Sequence, residues 1–123
     1  MKRSARVLAV IGVVSGLWAL APAGAWAHAK LITADPAPDA TVSSPASIHL
    51  VFSEELTKQF SGIKLTNTDG EAISVTPASK VPDKELQVSP AAPLPPGLYT
   101  VKWTAVSSDD GHKVSGSFSF TVK

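Results

Sequence analysis

Cysteine is absent from all 123 residues, and methionine occurs once, as Met1. Without thiols the chain builds no disulfide, no thiol nucleophile, no thiolate metal site and no iron–sulfur cluster. With its one methionine at position 1, residues 28–123 offer no thioether donor of the soft kind that holds Cu(I). Positive charge is scarce once the first stretch is set aside. Lys2, Arg3 and Arg6 take three of the eleven bases, so residues 28–123 hold eight bases against ten acids. That body lacks the basic excess that nucleic-acid binding calls for, so no nucleic-acid partner is expected. No Gly-x-Ser-x-Gly segment occurs, which removes the nucleophile elbow of a serine hydrolase.

What is present begins with a leader. The three early bases precede an apolar run from Val7 to Ala21, and Pro22 and Gly24 then break it. Ala25-Trp26-Ala27 completes the small-x-small pattern of a cleavage site, so residues 1–27 read as a secretory signal peptide. The run is too short for an uncleaved span, which needs about 20 apolar residues. Cleavage after Ala27 makes His28 the first residue of an exported domain over 28–123, one core's worth of chain.

That domain reads as all-β. Residues Ala34 to Pro45, rich in Pro, Ala, Asp and Ser, are expected to be an irregular leader into the first strand. Ile48, Leu50 and Phe52 alternate with His49 and Val51, and Tyr99, Val101, Trp103 and Ala105 alternate with Thr100, Lys102 and Thr104. Ile63 and Leu65 mark a strand, Asp69-Gly70 a tight turn, and Ile73 with Val75 the returning strand. Leu86 with Val88, and Phe118 with Phe120 and Val122, supply two more. Six or seven short strands predict a β-sandwich or Greek-key barrel, with Phe52, Tyr99, Trp103, Phe118 and Phe120 on the inward phase.

Three histidines carry the candidate chemistry. His28 brings both a free α-amino group and an imidazole, which together close a chelate ring suited to Cu(II); the alternative is an accident of the cleavage site. His112 ends Ser107-Ser108-Asp109-Asp110-Gly111-His112, between the two most regular strands. On an extended backbone Asp110 and His112 share a face, with Gly111 leaving room for a tight loop. Carboxylate and imidazole then add two donors to a square-planar N/O site; the alternative is a plain polar turn. His49 lies on an outward strand position and reads as an exposed strand residue, with a weak secondary metal contact as the other option.

Together, His28, the strand Ile48-His49-Leu50-Val51-Phe52-Ser53-Glu54 and the stretch from Pro96-Gly97-Leu98-Tyr99 through Asp110-Gly111-His112 to Gly116 and Phe118-Ser119-Phe120-Thr121-Val122 resemble the CopC family of periplasmic copper-binding proteins. The resemblance spans nearly the whole of 28–123. It implies a Greek-key, immunoglobulin-like β-barrel or sandwich that binds one Cu(II) per chain and acts as a monomeric carrier or buffer in copper resistance, homeostasis or import. The family's ligands match His28, Asp110 and His112, and Glu54 matches an auxiliary or outer-shell glutamate. An inner-membrane CopD-type transporter is the implied partner.

There are departures from the family pattern. No methionine-rich loop is present, so a second, Cu(I) site is not expected. Ala29 stands where relatives often carry Pro, and no fused membrane domain is expected after Lys123. Two rival functions differ in class. One is a copper monooxygenase with an N-terminal histidine brace, which an Asp110 donor argues against by filling the coordination position that oxygen needs. The other is a metal-free immunoglobulin-like interaction module, for which loss of His28 would change nothing measurable.

Overall fold

The computed structural model describes residues 29–123, which form nine strands. They are β1 (Leu31–Asp35), β2 (Thr41–Val42), β3 (Ile48–Phe52), β4 (Gly62–Asn67), β5 (Ala72–Ile73), β6 (Val75–Pro77), β7 (Glu85–Pro90), β8 (Gly97–Val106) and β9 (Lys113–Val122). The expected signal peptide, 1–27, and His28 lie outside the described residues. One sheet has the order β1-β3-β7-β6 and the other β2-β9-β8-β4-β5. Their inner faces enclose the core, so the expected all-β sandwich is the observed architecture.

Period-two patterning decides which side chains go in. In β3, Ile48, Leu50 and Phe52 are buried, and in β8 so are Tyr99, Val101, Trp103 and Ala105. Phe52 meets Trp103 edge-on with ring centroids 5.1 Å apart, an arrangement that adds about 0.5–1.5 kcal/mol to simple burial. Trp103 also lies over Gly116, its cross-strand partner, where an added Cβ would stand 2.6 Å from the indole Cζ2. Only glycine lets β9 run beneath that ring. Tyr99 stacks near Phe120 and donates its hydroxyl to the Pro95 carbonyl at 2.6 Å, fixing the proline-rich turn onto β8. Phe118 is the one partly buried member of the five aromatics expected inside, packed against the core from its edge.

Three expectations about the strands need correction. The described residues form nine strands where six or seven are predicted. The stretch from Ala34 to Pro45 is not wholly irregular: β1 begins earlier and extends to Asp35, and β2 adds in parallel to β9. Ile73 and Val75 do not share a strand, because the chain changes sheets at Ser74, with β5 pairing β4 and β6 pairing β7. A two-residue spacing looks identical in either case, so periodicity alone does not reveal the switch.

Candidate metal centre

The β8–β9 hairpin places the Asp-Gly-His segment at one end of the sandwich. Its strands pair continuously from Gly97 with Val122 to Val106 with Lys113, so Ser107–His112 is the connecting loop. The Ser107 N–H donates to the His112 carbonyl at 3.0 Å and the Gly111 N–H to the Ser107 carbonyl at 2.9 Å, closing it. Gly111 takes φ +72, the left-handed conformation glycine adopts at no steric cost. The loop is therefore a turn, and the expected face-sharing on an extended backbone is not how Asp110 and His112 meet. Instead Asp110 folds back, its Oδ1 accepting the His112 backbone N–H at 2.9 Å in an Asx-type turn. That hydrogen bond holds the Asp110 carboxyl below the usual carboxylate range, with desolvation a smaller effect in the opposite direction. Both residues are exposed at the end of the barrel.

Ser107, buried to 1% exposure, is the anchor of this loop. Its hydroxyl donates to Glu54 Oε1 at 3.0 Å and accepts the Asp109 N–H at 3.3 Å. The backbone reinforces the link: Ser108 N–H donates to the Glu55 carbonyl at 2.9 Å, and Leu56 and Ser107 form an isolated bridge. The segment following β3 also holds the start of the described chain. Ser53 N–H donates to the Lys30 carbonyl and Ser53 Oγ accepts the Lys30 N–H, each at 2.9 Å, while Ala29 is buried in the core. Ser53-Glu54-Glu55 is thus gripped on one side by the residues that follow His28 and on the other by the loop bearing Asp110 and His112.

Among the described residues no three His, Asp or Glu side chains come together as a metal-binding group. Asp110 and His112 present a carboxylate oxygen and an imidazole at an open loop, donors of the type that suits Cu(II). His28, the third expected ligand, directly precedes the buried Ala29 and lies outside the described residues. His49 is elsewhere, on the outer face of β3. It is half-buried rather than exposed, with Nε2 2.5 Å from Glu85 Oε1 on β7. A cross-strand carboxylate accounts for it without metal. Sequence reasoning passes over Ser107; its one signal is a serine two residues before the first aspartate N–H it caps, a common turn device.

Comparison with known proteins agrees with this architecture. The model of the CopC domain family matches residues 31–123. Copper resistance protein C of Xanthomonas campestris pv. juglandis is 42% identical over 111 residues, covering 85% of this chain and 87% of that protein. Protein YobA of Escherichia coli K12 is 45% identical over 101 residues, covering 80% and 81%. The crystal structure of PcoC, a methionine-rich copper resistance protein from Escherichia coli, superposes with a TM-score of 0.71 at 41% identity, covering 79% of this chain and all of that one. Its methionine richness contrasts with the single Met1 here. With the family model spanning the sandwich from β1 to the last residue, this chain belongs to the CopC family.

Proposed function

We propose that the protein is a periplasmic Cu(II) carrier or buffer serving copper resistance, homeostasis or import. It takes one ion per chain at His28, Asp110 and His112, with Glu54 auxiliary or in the outer shell. The observation that carries this reading is the double grip on Ser53-Glu54-Glu55, by Lys30 from one side and by Ser107 and Ser108 from the other. It ties the entry of the exported domain to the loop with the exposed carboxylate and imidazole. Relatives named for copper resistance make copper the natural cargo. Removal of residues 1–27 by signal cleavage frees the amine that completes the donor set. Amine, imidazole and carboxylate donors suit tetragonal Cu(II), and the lack of thiolate and thioether disfavours Cu(I).

A carrier needs no open coordination position, and Asp110 closes the one a copper oxygenase would use. A monomer that exchanges its ion with a CopD-type membrane transporter completes the reading. Titrating the exported protein with Cu(II) under electron paramagnetic resonance tests it. One equivalent should give a tetragonal signal with nitrogen coupling. His112→Ala or Asp110→Ala should weaken binding more than about 100-fold, since even outer-shell partners are worth about 10–100-fold. Unchanged affinity in both variants would overturn the site.

A further inference from the structure

The outer face of the five-stranded sheet carries a charge pattern that the metal reading does not use. Lys64 on β4 and Lys102 on β8 are direct cross-strand partners, and Ser117 on β9 continues the row. Both lysines are exposed, and like charges directly opposite one another destabilise a sheet. Lys113, the residue after His112, stands four positions before Ser117 on the same face of β9, about 13 Å along the strand. Among the described residues none of these three lysine ammonium groups makes an ion pair or a hydrogen bond.

They border an open groove of about 750 Å³ whose lining contains no carboxylate. Its lining includes Ser115, Ser117 and Gly62, where an added Cβ would meet nothing within 4 Å and so project into open space. Phe60, 64% exposed on the 3-10 turn Lys58–Phe60, walls one side. The domain as a whole is acidic, so three unpaired lysines around one concavity are not a reflection of its composition.

We propose that this groove docks an acidic segment of a partner polypeptide. A like-charged pair that costs the fold stability is relieved when carboxylates lie between its members, and complementary charge speeds and orients encounter. Hydroxyl donors in the lining suit carboxylate oxygens, and an exposed phenylalanine gives an apolar contact at the edge. Concavity favours a chain segment over a flat lipid surface, which touches protruding points. Because Lys113 adjoins His112, a segment in the groove ends beside the metal loop. Only that purpose, exchange of the ion with the docked partner, rests on the copper reading.

Isotope-labelled exported protein titrated with a deca-glutamate peptide, followed by nuclear magnetic resonance, tests the proposal. Shifts should concentrate at Lys64, Lys102, Lys113, Ser115 and Ser117. Lys64→Glu is the informative variant, because it converts a repulsive pair into an attractive one: the protein should become more heat-stable while peptide affinity falls about tenfold or more. Gly62→Val, which fills the groove and keeps every charge, should weaken the peptide severalfold with the fold intact. Equal shifts at Lys30, Lys80, Lys84 and Lys123, or unchanged affinity in Lys64→Glu, would overturn the groove. Binding to phosphatidylglycerol vesicles but not to peptide would assign the face to a membrane and overturn it too. Copper titration of the same samples reads the metal site separately, since Lys64→Glu should leave it unaltered.

Discussion

Replacing Ser107 by alanine removes one hydroxyl from the junction on which the candidate site depends. In the structure that hydroxyl donates to Glu54 Oε1 at 3.0 Å and accepts the Asp109 N–H at 3.3 Å. A hydrogen bond to a charged group is worth about 1.5–3 kcal/mol. Glu54 is only half-buried, so water recovers part of that loss, and the longer bond to Asp109 adds little. The expected destabilisation is about 1–2 kcal/mol, which for a domain of this size lowers Tm by about 5–15 °C. Thermal and urea unfolding of the metal-free protein measure it. A double-mutant cycle with Glu54→Gln should show coupling of at least about 0.5 kcal/mol, because the two groups act through one bond. Copper affinity should fall about tenfold as the loop loses its anchor. A Ser107→Ala protein within about 0.5 kcal/mol of the parent, or strict additivity with Glu54→Gln, would refute the reasoning.

Further outcomes follow from the same structure. Gly116→Ala should cost about 1–3 kcal/mol by forcing Trp103 off its seat, seen as lower Tm with altered tryptophan fluorescence. His49→Ala should leave the copper spectrum unchanged and cost no more than about 1 kcal/mol, the value of a partly exposed pair with Glu85. Lowering the pH should weaken Cu(II) binding, because protons compete with the metal for its nitrogen donors, while Asp110, whose carboxyl the His112 N–H holds below the usual range, is the donor least open to protonation. Competition titrations at several pH values check this, and an affinity independent of pH would contradict it.

The long strands were legible because β3, β8 and β9 bury alternate residues, and burial leaves its period in the sequence. The short pieces were not. β2 has two residues and owes its place to pairing with β9, a tertiary fact with no local signature. The passage from β5 to β6 is hidden for a different reason, since Ile73 and Val75 keep the spacing of a single strand while the chain changes sheets. At the candidate site, residue types announce a metal-binding chemistry, but an extended Asp-x-His is the wrong local conformation. Left-handed Gly111 and the Asp110–His112 backbone bond make a turn instead. The Ser107–Glu54 contact joins residues 53 apart in the chain, a separation across which pattern is silent.

On the proposed reading, export creates the Cu(II) site by freeing the amine of His28, which then joins Asp110 and His112 as a donor. Its most direct test compares Cu(II) affinity of protein beginning at His28 with protein carrying one methionine before His28, by competition titration. One tightly held Cu(II) is expected in the first and affinity reduced by about 100-fold or more in the second, as an equatorial nitrogen is lost. Equal affinity in the two would contradict it.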